Sequence, residues 1–454
     1  MNRKNNLKPI KIREQKQIEQ KLGWPTVTAI TIGGMIGPGL FILMTNLFKD
    51  NHSGIIMILS WLIGFLIITP VNIVFIKLAQ NYQESGSGYS YLRNEGWNKA
   101  ALYFGWINAL FLDPLCLSIL LNKLKNFIQQ IFLLITPLLF NGAIIAGIIS
   151  VCIFLLTVQI HLRPIKLGGK YNSIATLIKI SFVILLIISA FLINFDPKLI
   201  WNSYQRTSIS PQFAKQILEG GVKTVLAYAG INYMCYMSSE FNFTRKNLFL
   251  TTITSICSAA IIYLLLAVAC AGHLTPETSL GKNEDIIILL FSKSKLREWW
   301  AIIIPFFGVW LSISTISSLL QLMPRLSYQM AKKGDLPKAL SKINKAKVPY
   351  LAVLLVSGLT LLLRFTLKEE ESLQLFSRLI YGTFALTCLG YFSLCHRKKK
   401  RKETLFSVFA FIITAGVSSV IFLADFHLYY LIILGIFIVA VEIKQIIPIN
   451  LGRK

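Results

Sequence analysis

Long apolar runs alternate with short polar or basic stretches along the whole chain. A helix crosses the hydrocarbon core of a bilayer with about 20 mostly apolar residues, and twelve segments are predicted to do so. They run from Trp24 to Phe48, Gly54 to Ile76, Ala100 to Leu121, Gly142 to His161, Tyr171 to Phe195 and Gln216 to Ser239. The second half continues from Leu248 to Gly272, Trp299 to Met323, Val348 to Leu363, Leu373 to Cys395, Thr404 to Ala424 and Phe426 to Ile447. The pattern predicts an all-α polytopic membrane protein with polar tails at 1–23 and 448–454.

Composition agrees. Of 454 residues, 54% are hydrophobic and only 15% charged, against about 25% charged in soluble domains. A soluble monomer would lack the polar surface, and a disordered chain would lack the hydrophobicity. The seven cysteines form no CxxC pair and lie in or beside apolar runs, so they read as reduced packing residues. The five histidines are scattered, and neither a metal site nor a cofactor motif is expected. The basic first 23 residues and the long apolar run after them do not form a cleavable signal.

The net charge is +26. On a soluble protein this would suggest nucleic acid. In a membrane protein, Lys and Arg mark cytoplasmic loops. With the N-terminus inside, about 31 of the 46 basic residues fall on the cytoplasmic side and about 12 on the other. Both termini are therefore expected in the cytoplasm, with the bilayer rather than nucleic acid as partner. The expected location is the plasma membrane, the inner membrane in a bacterium.

The first segment contains Ile32-Gly33-Gly34-Met35-Ile36-Gly37-Pro38-Gly39-Leu40-Phe41. Gly33-x-x-x-Gly37 is a helix-packing pattern, but Gly34, Pro38 and Gly39 add a predicted break. A break near mid-membrane exposes backbone N–H groups and a half-helix N-terminus, which favour an anion. The sixth segment carries a weaker interruption at Leu226-Ala227-Tyr228-Ala229-Gly230-Ile231-Asn232-Tyr233. Helix six is the first of a second set of five, which would run inverted. Interrupted helices at matching places in two halves point to the substrate site of a secondary transporter.

Four stretches resemble the amino acid–polyamine–organocation (APC) superfamily of permeases. They are Gly33 to Phe41; Leu78-Ala79 through Glu84-Ser85-Gly86-Ser87-Gly88-Tyr89-Ser90-Tyr91-Leu92-Arg93; Ala227 to Glu240 with Arg245-Lys246-Asn247; and Arg325-Leu326-Ser327-Tyr328-Gln329-Met330-Ala331 through Gly334-Asp335-Leu336-Pro337, with Val348-Pro349. They occur in family order. Lys77, Gln83, Ile231, Thr244 and Phe249 depart from the family pattern. The resemblance implies a LeuT-like fold: one five-helix repeat over 24–195, an inverted one over 213–396, and two further helices over 404–447. It also implies that N–H groups around Ile36, Gly37 and Gly39 hold a substrate carboxylate. Carbonyls near Ala227, Tyr228 and Gly230 would hold the amine, with Gly33, Gly34, Ile231 and Asn232 completing the site.

Charges inside spans are costly and are functional candidates. Lys179, about eight residues into the fifth segment, either snorkels to the interface or, as the resemblance implies, replaces sodium and couples protons. Asp113, placed past the midplane before Pro114, binds a substrate cation, carries a proton, pairs with Arg378 or Lys223 as a gate, or is structural. Ser312, Ser314, Thr315, Ser317 and Ser318 offer sodium ligands or simple bonds to their own helix. Glu240 is expected to pair with Arg245 or Lys246.

These readings favour a secondary active transporter of amino acids, working by alternating access through proton symport or amino acid exchange, as a monomer or homodimer. A polyamine or other amine carrier, or a non-transporting amino acid sensor, stays open. A membrane enzyme is disfavoured, because chemistry needs a convergent polar set and the spans offer four charges without a central histidine.

Overall fold

The computed structural model describes residues 22–51, 53–135, 142–193, 195–205, 210–241, 244–273, 286–291 and 295–424. Helix occupies eleven of the twelve predicted segments. The twelfth, at 426–447, lies outside the described residues, as do the tails 1–21 and 448–454. Among the described residues there is no sheet; one isolated bridge joins Leu22 to Phe241.

Nine helices among the described residues are long and apolar enough to cross a membrane. They are the first span (Trp24–Asp50, broken inside), the second (Gly54–Asn81), third (Asn98–Ile135), fourth (Gly142–His161), fifth (Lys166–Leu192), seventh (Arg245–Ala271), eighth (Arg297–Lys332), tenth (Glu369–Arg397) and eleventh (Arg401–Ser419). The ninth, Tyr350–Thr366, has 17 residues. The sixth is a chain of short pieces: Pro211–Thr224, a 3-10 turn Val225–Tyr228, one α-turn Ile231–Met234 and a second 3-10 turn Cys235–Glu240.

The helices are inverted relative to soluble ones. On the fifth span Leu177, Leu185 and Leu192 are exposed, whereas Asn172, Thr176 and Lys179 are buried. Positions 172, 176 and 179 share one helical face, so polar groups turn inward and leucines outward. That arrangement suits a lipid surround, where apolar side chains lose nothing by facing out.

The leading half of the first span packs on the fifth, seventh and eighth spans. The second span packs on the sixth and seventh, and the third on the fourth, eighth and ninth. The interruptions themselves are buried, at Ile36, Gly37 and Pro38 and at Tyr228 to Ile231, whereas the leading half of the sixth span is largely exposed.

The third span corrects one expectation. It continues to Ile135, well beyond Leu121, because Lys123 finds Glu369 at 3.2 Å and Asn126 donates to the same carboxylate at 3.3 Å. Asp113 is the sixteenth of the 38 residues of this helix.

Candidate functional site

The first span breaks where glycine and proline cluster. Helix runs over Trp24–Met35, Ile36 leaves it with φ −78 and ψ 96, and helix resumes at Gly39–Asn51. The final carbonyls of a helix have no partner within it, and at this joint other helices satisfy them. Lys179 Nζ donates to Gly33 O and Ile36 O, both at 2.8 Å, and to Thr315 Oγ1 at 3.0 Å. Tyr263 OH donates to Met35 O at 2.8 Å and lies 3.2 Å from Ala227 O. Tyr263 therefore ties both interruptions to the seventh span.

Lys179 lies at the centre of its helix and is fully buried. The snorkelling alternative is overturned: the ammonium reaches inward, with three donors meeting three acceptors.

Two glycines make this approach possible. A Cβ at Gly33 would lie 2.4 Å from Thr176 Oγ1 and 2.8 Å from Ser318 Oγ, and one at Gly37 would lie 2.9 Å from Thr315 Cγ2. A Cβ at Gly34 would only touch Leu319, at 3.4 Å, and Gly39 faces open space. Packing and interruption thus coexist in one motif. The expectation for the Ile36 amide is corrected, because it donates to Ile32 O at 2.8 Å and is not open to an anion. The amides of Gly37 and Gly39 have no backbone acceptor among the described residues.

At the sixth span, a Cβ on Gly230 would lie 2.4 Å from Met35 Cγ, so the two interruptions abut. Tyr228 turns away from the joint. Its hydroxyl donates to Trp61 O at 3.2 Å, and its ring packs on Trp61 and Tyr263. Ile231 and Asn232 are buried, and Ala227 is partly so.

Asp113 is fully buried, and neither carboxyl oxygen has a hydrogen-bond partner. The proposed pairings with Arg378 and Lys223 are both corrected. Lys223 is about half exposed and bridges to Asp50 at 2.7 Å. Arg378 is buried in the tenth span and makes no ion pair with Asp113.

Most of the eighth-span hydroxyls bond their own helix: Ser312 to Gly308 O, Ser314 to Leu311 O and Ser318 to Ser314 O. Thr315 bonds Leu311 O but also reaches Lys179. Ser317 joins a buried chain that composition did not reveal. His161 Nε2 lies 2.7 Å from Ser317 Oγ, Ser317 donates to Asn172 Oδ1 at 2.7 Å, and Asn172 donates to Gln321 Oε1 at 2.6 Å.

The recurrent motifs outside the joint meet at one end of the bundle. Glu240 is buried and pairs with Arg325 at 3.1 Å, not with Arg245 or Lys246. Glu240 O also accepts from Leu22 N at 2.9 Å. Gly86, at φ +102, donates to Tyr236 O at 3.2 Å, and Ser85 lies 2.6 Å from Ser239. Tyr89 donates to Asp335 at 2.5 Å, and Arg93 pairs with the same carboxylate. Burial and the Asp335 charge hold the Tyr89 phenol well above its ordinary range, so it stays a donor. The Thr244 hydroxyl caps the seventh span by accepting from Asn247 N at 3.3 Å.

Tyr263, Thr176 and the His161–Asn172 chain were not picked out from the sequence. A tyrosine inside an otherwise apolar seventh span was the available signal for Tyr263. Among the described residues no group of His, Cys, Asp and Glu could hold a metal.

The amino acid permease family profile matches residues 22–443. The mouse (Mus musculus) b(0,+)-type amino acid transporter 1 is 21% identical over 380 residues, 82% of this chain and 75% of its own length. The mouse Asc-type amino acid transporter 1 is 23% identical over 398 residues, 85% of this chain and 72% of its own. The human (Homo sapiens) large neutral amino acids transporter small subunit 2 is 23% identical over 390 residues, 84% and 71% of the two chains. These relatives are transporters, not enzymes. With a match that spans nearly the whole chain and an interrupted first helix built on the resembling motif, this multi-pass membrane protein belongs to the amino acid permease family of the APC superfamily.

Proposed function

We propose that this permease is a secondary active transporter that moves amino acids by alternating access, with Lys179 coupling transport to protons. The LeuT-like arrangement is part of the proposal: inverted repeats over 24–195 and 213–396, two further helices over 404–447, and both tails cytoplasmic in the plasma membrane. The substrate carboxylate sits at the amides of Gly37 and Gly39, between Gly33, Gly34 and Ile36. The substrate amine sits against the sixth-span interruption at Ala227, Tyr228, Gly230, Ile231 and Asn232.

One observation carries the coupling. The Lys179 ammonium occupies the joint between the first-span break and the eighth span, 2.8 Å from two carbonyls and 3.0 Å from a hydroxyl. A sodium ion would need those same oxygens, so the lysine displaces it. Loss of the proton removes one of three donated bonds and the charge that strengthens the other two. The end of the first half-helix then loosens from the fifth and eighth spans. Proton movement and helix movement are thereby linked. Exchange of one amino acid for another is the second reading, favoured if Lys179 keeps its proton throughout the cycle.

The test is counterflow in proteoliposomes with a panel of single amino acids and amines at two pH values. Saturable exchange of at least one amino acid supports the transporter; binding without flux or exchange identifies a sensor, and flux of amines alone an amine carrier. Lys179→Ala should flatten the pH response of the wild type. A mutant with the wild-type pH profile would remove Lys179 from coupling and leave exchange.

A further inference from the structure

A buried carboxyl group needs donors or a cation, because an unmet charge in a low-dielectric interior is strongly unfavourable. Asp113 has no cation. It is fully buried, and among the described residues the Tyr236 hydroxyl is the one donor recorded beside it, neither oxygen makes a hydrogen bond of good geometry, and no lysine or arginine bridges to it. The surrounding groups are neutral. Tyr233, Tyr236 and Cys116 lie beside it, and the Tyr236 hydroxyl faces its carboxyl. Asn232 Oδ1, on the same short helical turn as Tyr233, is also buried without a donor.

The backbone sets this carboxyl deliberately. The five residues Asn108–Leu112 form a π-turn, and Asp113 N donates back to Asn108 O. Turns of this kind are frequent at functional sites. Pro114 follows, with no amide of its own. Tyr233 is three residues past Gly230, about 4.5 Å along the axis at helical rise. On the transport reading, the sixth-span interruption at Gly230 leads directly into the turn of Tyr233 and Tyr236, the groups beside this carboxyl, so the carboxyl is a candidate partner for the far end of a long substrate side chain.

We propose that Asp113 receives a second positive charge on the substrate, so that the permease favours substrates with a distal ammonium or guanidinium over neutral amino acids. Basic amino acids and diamines share this chemistry. The inference rests on the transport reading above and adds the substrate class.

The test uses the purified full-length protein in proteoliposomes, with labelled lysine, arginine, putrescine, alanine and leucine competed against one another. Wild type should prefer the cationic substrates. Lysine and arginine without putrescine would identify basic amino acids; putrescine as the best competitor would identify diamines. Asp113→Asn should lower the cationic-to-neutral uptake ratio by about 30-fold, the size of one hydrogen-bonded charge. Asp113→Glu should keep the preference and shift it toward a shorter cation, ornithine over lysine. Transport of neutral amino acids with no competition from lysine, arginine or putrescine would overturn this inference and leave the transport reading standing. Failure of every substrate would overturn the transport reading itself. An Asp113→Asn protein that changes only in pH or sodium dependence, with its ratio intact, would make the carboxyl a proton or ion carrier and overturn the substrate role. Should Asp113→Asn not fold, wild-type competition and Asp113→Glu decide.

Discussion

At the scale of single residues, the joint is set by atoms small enough or long enough to reach it. Gly33 is a tight case, since an added Cβ would fall 2.4 Å from Thr176 Oγ1. Gly33→Ala should therefore lower the detergent melting temperature, at a cost of about 1–3 kcal/mol typical of overpacking. Adding Thr176→Ala removes the worst contact and should recover part of that loss; purely additive damage in the double variant would show that the two positions do not meet. Tyr263→Phe tests the opposite case, a lost donor with unchanged shape. It leaves Met35 O unmet, costs about 1 kcal/mol, and should weaken substrate binding several-fold, measured by thermal shift with ligand titration. Unaltered binding would separate Tyr263 from the joint. The sequence pointed to Gly33, Gly37 and Lys179 because glycine clusters and intramembrane charges stand out by type. It did not point to Tyr263 or Thr176, whose importance comes from which carbonyl or glycine lies across from them.

At the scale of helices, the two interruptions differ in how they are encoded. The first follows from Gly34, Gly37, Pro38 and Gly39, which disfavour helix wherever they stand. The second spreads over two 3-10 turns made largely of ordinary residues such as Val225, Cys235 and Met237, so local propensity gave only Gly230 and Asn232 as hints. Tertiary contacts hold it: Tyr263 and Met35 on one side, Gly86 and Ser85 on the other. The third span shows a similar limit, as polar residues at Lys123 and Asn126 ended the apolar count while the helix went on to meet Glu369. The fourth, fifth and eighth spans are joined by the chain His161–Ser317–Asn172–Gln321. Asn172→Leu should remove the acceptor at Oδ1 that Ser317 uses and the bond that Asn172 donates to Gln321. About 1–3 kcal/mol per unmet buried group is expected, so the variant should melt several degrees lower even though it adds apolar surface. Wild-type stability would mean that the chain contributes little to helix association.

At the scale of the molecule, one end of the bundle is sealed by residues drawn from three separate motifs. Glu240 joins the sixth span to Arg325 after the eighth, Leu22 hangs on the Glu240 carbonyl, and Tyr89 and Arg93 grip Asp335. On the transport reading, access from that side requires these contacts to part together. The Glu240–Arg325 pair is the one most deeply buried, with side chains 2% and 3% exposed. A buried pair contributes little net stability, but removing one partner strands the other charge at a cost of about 3–5 kcal/mol. Arg325 in Glu240→Ala therefore gains strongly from reaching water, which it can do only if this end opens. The variant should populate the opened state, seen as faster amide exchange at Leu22 and Gly86, whose hydrogens close the seal. Glu240→Ala combined with Arg325→Met removes both charges and should restore slow exchange. Fast exchange in both variants would show that the seal depends on the shape of this end, and slow exchange in both that the pair does not hold it shut.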